Sequence, residues 1–517
     1  MYAQVAVENV NCTFDKDYDY SIPQQLEGKA LVGCRVAVPF GRGNKARIGI
    51  ITRLTDSTQG KRIKPISAVL DEAPLLSNEM LSLARWISEQ TFCTYYEAVK
   101  AMLPAGINHR IIRSFCAIPD VDESAVDSLD ADERQVYEYL LTRSGYVKPE
   151  NFLKTLGFDI SSDIPERLFR AGFLAANDGA VRNVGDNNIR MVRLCEGADD
   201  IQMTKKQSEV VNVLKDTGSV SVRELCYFTG YTPSVISALE KKGAVECFER
   251  EELRSFVSRY AVKSAYDSGE LHLTDEQQRA YEGLVEDYRS GKGKTALLYG
   301  VTGSGKTSVY LKLIDAVLAD GRTVIVMVPE ISLTPQTLSV FHSRYGDEVA
   351  VFHSALSAGE RADEWKRVKK GDAKIVIGTR SAVFAPLENI GLIIIDEEQE
   401  DSYKSENAPR YHARDVAKFR CAQDNALLLL GSATPDVESR WRAEQGSYAY
   451  FTLSRRFNEQ SMPSVEIVDM KRELRRGNGS SISERLRSEI SENLERGEQS
   501  ILFLNRRGAN KLITCVD

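Results

Sequence analysis

The eight residues Gly300-Val301-Thr302-Gly303-Ser304-Gly305-Lys306-Thr307 lie between an apolar run, Leu297-Leu298-Tyr299, and a stretch of helical periodicity. A strand that turns through glycines straight into a helix constrains the fold more than any other feature of the chain, because parallel strands need crossover helices and this turn opens one. The pattern then repeats. Val324 to Val328, Val349 to Phe352, Lys374 to Ile377, Leu392 to Ile395 and Ala426 to Leu430 are short apolar runs, and helices are expected to start after Lys306, Pro335, Ala358 and Ala413. Runs apolar on both faces predict strands covered on both sides, so residues 266–453 are expected to form a parallel α/β lobe.

The glycine turn has a chemical reading as well. Glycines let backbone N–H groups face inward around phosphate oxygens, and the helix N-terminus adds its dipole. In that cradle Gly300, Val301, Thr302, Gly303, Ser304 and Gly305 would wrap a nucleotide, Lys306 would reach the β and γ phosphates, and Thr307 would ligate Mg²⁺. The run Leu392-Ile393-Ile394-Ile395-Asp396-Glu397-Glu398-Gln399 delivers carboxylates at the carboxyl end of a strand, where open α/β sheets carry their ligands. Asp396 is expected to hold the Mg²⁺ shell and Glu397 to activate the attacking water. Gln277, in Leu273-Thr274-Asp275-Glu276-Gln277, is expected to read the adenine edge, and Gly431-Ser432-Ala433-Thr434-Pro435 to sense the γ-phosphate. With Pro329 to Pro335, Gly378-Thr379-Arg380-Ser381 and Leu502 to Gly508, these segments form a helicase series. A nucleotide kinase or transporter ATPase would share the loop but has no need of the 378–381 and 431–435 segments.

The rest of the 517 residues is too long for one core, and three or four domains are expected. Residues 1–112 read as a small, mostly β module: Gln4 to Val7, Arg35 to Pro39 and Arg47 to Leu54 are strands, Gly41-Arg42-Gly43-Asn44 a turn, and Asn78 to Glu89 a helix. Although the chain carries a net charge of -7, Lys29 to Lys64 holds nine basic residues against one acid, Asp56, an electropositive surface within an acidic protein. Between 113 and 265, two stretches each give two helices, a charged pair, a glycine and an apolar strand (Glu166 to Leu174 and Val235 to Val245). They read as winged-helix-like units or as a generic helical linker. Residues 454–517 open a further α/β unit with strands at Val465 to Val468 and Ser500 to Leu504 and a helix near Ser483 to Arg496. The nine cysteines include no pair at metal-knuckle spacing, and neither a signal peptide nor an apolar run of membrane length is present, so a cytoplasmic protein with free thiols is expected.

Taken in order, Gly300 to Thr307, Val328-Pro329-Glu330-Ile331, Ile377 to Ala382 and Arg410-Tyr411-His412-Ala413-Arg414-Asp415 resemble the PriA (primosomal protein N′) family of superfamily-two DNA helicases, from about residue 18 to 517. Tyr18 to Pro23 and Gly33 to Gly41 resemble its N-terminal domain, which holds the 3′ end of a nascent strand. The resemblance implies a multidomain α/β protein with a β-rich DNA-binding domain, a winged-helix-like middle, a RecA-like ATP-binding lobe and the start of a second, incomplete lobe. It implies an ATP- and Mg²⁺-dependent 3′-to-5′ DNA helicase of replication restart. Its partners would be replication forks, single-stranded DNA, primosome and helicase-loading proteins and single-stranded DNA-binding protein, with no membrane. Tyr18, Asp19, Gly41 and Lys64 match the 3′-end pocket. Tyr403 to Asp415 is similar to the aromatic-rich loop that couples DNA to hydrolysis, where Tyr403 and Tyr411 would stack on bases and Lys404, Arg410, His412 and Arg414 neutralise phosphates.

Two departures stand out. Gln399 occupies the place of the family's usual histidine after Asp-Glu-Glu. The family also continues past Leu504-Asn505-Arg506-Arg507-Gly508 into a zinc module of cysteines, of which Cys515 matches the first ligand. A chain ending at Asp517 is therefore expected to hold zinc poorly if at all. The alternative to an active helicase is a truncated fork- and ATP-binding fragment that unwinds nothing.

Overall fold

The computed structural model describes residues 1–517 other than 42, 59, 61, 108, 120, 122, 183–187, 196, 199–200, 252–270, 457–462 and 504–517. The described chain divides into two units, Met1–Phe457 and Asn458–Asp517. Arg42 and Lys61 of the basic segment, the 504–508 motif and Cys515 fall outside the described residues.

The first unit opens with six strands, β1 (Tyr2–Val7), β2 (Tyr18–Ser21), β3 (Arg35–Phe40), β4 (Lys45–Thr55), β5 (Lys64–Pro65) and β6 (Ala68–Val69), in the order β5-β2-β1-β4-β3-β6. Two helices follow, α1 (Asn78–Thr91) and α2 (Tyr95–Met102). Ser77 caps α1, and α2 carries a full capping box in which Thr94 and Glu97 satisfy each other's end of the helix. The sheet has its own small core around Val5, Tyr20, Val36 and Ile51. The helices do not stay with it. Leu83, Ile87, Ala98 and Val99 join one core with Ile325, Val376, Ile393 and Leu428 of the later parallel sheet, so the end of the expected 1–112 module packs as part of the α/β lobe.

Two compact helical clusters come next. In the first, β7 (His109–Ala117) pairs antiparallel with β8 (Leu174–Arg182) and flanks α3 (Glu123–Val126), α4 (Ala131–Leu141), α5 (Pro149–Leu156) and α6 (Ile164–Arg170), around Phe115, Leu140, Phe152 and Leu168. In the second, β9 (Asn188–Leu194), β10 (Ser219–Ser221) and β11 (Val245–Glu251) form a sheet against α7 (Lys205–Thr217), α8 (Val222–Thr229) and α9 (Pro233–Lys241), around Val192, Leu214 and Leu239. Gly172 and Gly243, both left-handed, make the turns from α6 into β8 and from α9 into β11.

The α/β lobe begins with α10 (Asp275–Arg289) and alternates β12 (Thr295–Gly300), α11 (Lys306–Ala319), β13 (Thr323–Met327), α12 (Pro335–Tyr345), β14 (Val349–Phe352), α13 (Ala358–Lys370), β15 (Ile375–Gly378), β16 (Ile390–Asp396), α14 (Ala413–Asp424), β17 (Leu427–Ser432), α15 (Val437–Glu444) and β18 (Ala449–Leu453). Seven parallel strands run in the order β14-β15-β13-β16-β17-β12-β18. Along β16, Ile393 and Ile395 enter the core shared with α1 and α2, whereas Leu392 and Ile394 enter the core under α10 and α11. Burial on both faces is why the sequence of this strand is uniformly apolar.

A buried ion pair ties α1 to this lobe. The guanidinium of Arg420, on α14 and 0% exposed, donates to the carbonyls of Val383 (2.9 Å), Ala385 (2.8 Å) and Leu387 (3.0 Å) and to Glu79 Oε1 on α1 (3.3 Å). Burial pushes the Glu79 carboxyl above its ordinary value, and Arg420 opposes that shift.

In the second unit the described residues hold two helices, α16 (Met470–Arg475) and α17 (Glu484–Glu495). The expected strands are not formed there: 463–469 and 500–503 make no ladder among the described residues, and Val465, Ile467, Ile501 and Phe503 are exposed. A β-run needs a neighbour to take its N–H and C=O groups, and local sequence does not provide one.

Candidate nucleotide and nucleic-acid sites

Gly300, Asp396 and Ser432 end three adjacent strands, β12, β16 and β17, at the carboxyl edge of the sheet. Gly303 and Gly305 sit at φ 79 and 78, the left-handed region in which glycine alone is unstrained, and Gly305 caps α11. Gly300 has a different reason: a Cβ there would lie 2.5 Å from Ser304 Oγ and 3.1 Å from Lys306 Cγ. Lys306 Nζ rests on the Gly300 carbonyl at 3.1 Å. Ser304 Oγ is buried without a hydrogen-bond partner, an orphaned donor inside the turn. Thr307, one residue into the helix, is exposed.

Gln277, expected at the adenine edge, packs beside the glycine turn. It is 1% exposed, its Oε1 accepts the Thr274 N–H (2.9 Å) and its Nε2 donates to the Ser304 carbonyl (2.9 Å). Through these two bonds the residue braces the glycine turn from α10.

At the end of β16, Asp396 Oδ1 accepts from the Tyr310 hydroxyl (2.9 Å) and its carbonyl from the Tyr403 hydroxyl (2.7 Å). Burial raises the Asp396 carboxyl above its usual range, and the Tyr310 hydrogen bond works against that rise. Glu397 follows at φ 47, a left-handed backbone uncommon for a glutamate, of the kind that concentrates at functional sites. Its Oε2 accepts from Gln399 Nε2 (3.1 Å), and Gln399 Oε1 accepts from Ser432 Oγ (2.5 Å). Glu398 turns the other way. Its buried carboxylate accepts from Arg414 Nη1 (3.0 Å), Ser439 Oγ (2.9 Å) and the Asp436 N–H (2.8 Å), clamping the strand end to α14 and α15.

That clamp corrects part of the expected DNA contact. Arg414 is held by Glu398 and Asp436, Tyr403 is 1% exposed, and Tyr411 is 8% exposed with its ring 4.8 Å from Phe384. Here Arg414 is an ion-pair partner, and Tyr403 and Tyr411 pack as buried rings. His412 caps α14 by accepting the Arg414 N–H (3.2 Å); burial, then Arg414, lowers its pKa. Lys404 and Arg410 are exposed. Lys404 lies on the rim of a hollow of about 480 Å³ that also takes in His353, Ser354, Arg361, Thr379 and Ser381.

The N-terminal candidates converge. Tyr18, Asp19, Gly41 and Lys64 line one open hollow of about 720 Å³ with Lys16, Asn44 and Arg62. Lys64 Nζ donates to the Gly41 carbonyl (2.7 Å), Asp19 Oδ2 accepts from Thr58 Oγ1 (2.6 Å), and the Tyr18 ring meets Phe40 edge-on at 5.0 Å.

Residues 4–104 match the family described as "3'DNA-binding domain (3'BD)" of PriA, and residues 274–440 match "DEAD/DEAH box helicase". The replication restart protein PriA of Bacillus subtilis is 36% identical over all of this chain, which covers 63% of that protein. The chain resembles the PriA family along its whole length. The PriA of a Synechocystis species is 34% identical over 96% of the chain and 60% of its own length. The chain thus spans about three fifths of the curated relatives it matches. Among solved structures, RecG bound to a three-way DNA junction aligns over 42% of this chain and 27% of its own at 25% identity and a TM-score of 0.29, too low to bear on the fold.

Sequence reasoning passed over Tyr310, whose hydroxyl holds Asp396. It lies four residues after Lys306 on α11, and that spacing puts the two on one helix face. Gly431 was assigned to γ-phosphate sensing, yet its position also makes room for this contact, since a Cβ would fall 1.7 Å from the Tyr310 oxygen.

Proposed function

We propose that this chain is the fork-recognising and ATP-binding part of a DNA helicase of replication restart, working 3′ to 5′ and passing the fork to primosome, helicase-loading and single-stranded DNA-binding proteins. The observation that carries the reading is the meeting of the glycine turn with the Asp396-Glu397 strand end: Tyr310 on the helix opened by Lys306 holds the Asp396 carboxylate. Lys306 would release the Gly300 carbonyl to bind the β and γ phosphates, and the buried Ser304 hydroxyl fits a turn built around an anion. Among the described residues no three His, Cys, Asp or Glu side chains converge, so Mg²⁺ would rely on Thr307, Asp396 and the nucleotide's own oxygens. When bound, the ion would neutralise charge on the transferred phosphoryl group. Glu397 would take the proton of the water that attacks the γ-phosphorus as ADP leaves.

For DNA, the 720 Å³ hollow of Tyr18, Asp19, Gly41 and Lys64 would hold a strand's 3′ terminus, with Asp19 available to accept from a terminal hydroxyl. The exposed Lys404 and Arg410 are better placed to meet phosphates than the buried Arg414. Residues 113–265 would act as winged-helix-like arms on duplex DNA; the two helical clusters, each closed by a small sheet, favour that over a plain linker. The test is ATP hydrolysis and fork binding by the wild type and Lys306→Ala. Hydrolysis should vanish in the variant while fork affinity stays within about twofold, and a preference for forks with a free 3′-OH over 3′-phosphorylated ones should persist. Retained turnover, or equal binding of the two forks by the wild type, would sink the reading.

A further inference from the structure

Hydrogen bonds lay the segment that leaves β18 along the glycine turn. The Val301 N–H donates to the Leu453 carbonyl (3.2 Å), and the Glu276 carboxylate accepts from the Ser454 N–H (2.9 Å), the Ser454 hydroxyl (2.6 Å) and the Arg455 N–H (3.3 Å). Its neighbour Gln277 holds the same turn through the Ser304 carbonyl (2.9 Å). Two consecutive residues in the first turn of α10 therefore fix the outgoing segment and the glycine turn against each other. The next residue, Arg456, falls on the turn itself: a Cβ on Gly303 would meet Arg456 Cγ at 4.0 Å. Its Nε is buried without a hydrogen-bond partner, as is Ser304 Oγ. A buried guanidinium N–H that nothing accepts is costly, and beside a turn built to gather N–H groups around an anion the acceptor that fits it is a phosphate oxygen.

We infer that Arg456 is a nucleotide-binding residue, a second cation for the polyphosphate beside Lys306, and that Glu276 is the residue that positions it. This rests on the reading of residues 300–307 as the nucleotide site. Lys306 belongs to the helix that the turn opens and Arg456 to the segment leaving the edge strand, so the phosphates draw on two separate elements of the lobe. The guanidinium is charged at every working pH, and its planar donors suit phosphate oxygens better than a lone ammonium does. Glu276 meets no ligand in this arrangement. It holds the backbone at 454 and 455, and with it the point from which the Arg456 side chain departs. All of these contacts lie within Met1–Phe457, so the second cation belongs to the same unit as the turn it serves.

The experiment titrates a fluorescent ADP analogue with Mg²⁺, and displaces it with inorganic tripolyphosphate, in the wild type, Arg456→Ala, Arg456→Lys, Arg456→Gln, Glu276→Gln, the Glu276→Gln/Arg456→Ala double variant and Lys306→Ala, with a thermal melt of each. Arg456→Ala should weaken both ligands about tenfold, the order of one charge-assisted hydrogen bond. Arg456→Lys, which keeps the charge, should lose less than Arg456→Gln, which keeps only a polar head; a side chain that merely packs along the turn would treat the two alike. Glu276→Gln should weaken both ligands about threefold and add nothing in the Arg456→Ala background, as a residue acting through another behaves. Losses that multiply in the double variant would remove Glu276 from its role. An Arg456→Ala affinity within about twofold of wild type, while Lys306→Ala abolishes binding, overturns the inference and leaves the nucleotide site standing. A loss confined to the ADP analogue, with tripolyphosphate unchanged, overturns it too, because the contact would then be with the base or sugar. If the wild type binds neither ligand, or Lys306→Ala binds both as tightly as the wild type, the reading of residues 300–307 has failed and this one falls with it.

Discussion

The sheet edge around Asp396 and the hollow around Asp19 are two candidate sites built on opposite terms. At the sheet edge, parallel strands buried on both faces hold side chains that already bind each other: Tyr310 on Asp396, Gln399 on Glu397, Arg414 on Glu398. The N-terminal hollow lies open beside short strands and turns, and few bonds cross it, chiefly Lys64 to Gly41 and Thr58 to Asp19. The contrast follows from the chemistry each site would serve. Stabilising a transition state requires groups held to within a fraction of an ångström before the ligand arrives. Gripping a strand end needs charge and access, which tolerate movement and weaken with salt. Loss of a side chain should therefore abolish a rate at the first site and shift a salt-dependent affinity at the second.

The sharpest way to break this contrast is Glu397→Gln. Hydrolysis is expected to fall about 10²- to 10⁴-fold with nucleotide still bound, read by turnover beside equilibrium ATP binding; a loss confined to KM would mean that the sheet edge only binds. Next is the joint between the two regions. Arg420→Met strands Glu79 in the α1–α14 contact and leaves three carbonyls without their donor, so a destabilisation of about 3–5 kcal/mol is expected in urea unfolding. Adding Glu79→Met should recover part of it, and no change in the midpoint would show that α1 is not anchored there.

Smaller effects are expected in the open hollow. Asp19→Ala and Lys64→Ala should each weaken forks with a free 3′-OH by about 1 kcal/mol more than 3′-blocked forks. Lys64→Ala should also flatten the dependence of log K on log salt by about one unit. Equal losses on both forks would place the strand end elsewhere. The smallest effect concerns His412. Its folded pKa lies below the unfolded value of about 6.5, so on acidification the unfolded chain takes up the proton first. Stability is therefore whole above about pH 6.5 and is lost as the pH falls from there toward the folded pKa. Thermal melts between pH 7.5 and 5.5 should carry this slope in the wild type and less of it in His412→Gln.

How much of this was legible depended on how local its cause was. The apolar runs of the lobe predicted six strands whose ends agree with those observed to within two residues. The edge strand β18 escaped; its Ala449 to Phe451 are only partly buried, unlike the central strands. Residues 465–468 and 500–503 carry strand-like sequence without forming strands among the described residues. Tyr403 and Tyr411 look alike as exposed stacking faces and as buried packing, since an aromatic beside cations fits both.

What the sequence by itself determined was the set of features a few neighbouring residues can enforce. Glycines at 303 and 305 permit the left-handed turn into α11, and an apolar run ending in Asp396-Glu397 puts carboxylates at the edge of a sheet. What only the tertiary structure decided was which of these groups touch. Glu79 and Arg420 lie 341 positions apart, Tyr310 and Asp396 86, and Gln399 and Ser432 33. No periodicity reports such pairs, because they exist only once strands and helices from distant parts of the chain have packed into one core, and that packing sets which polar groups are left facing each other out of water.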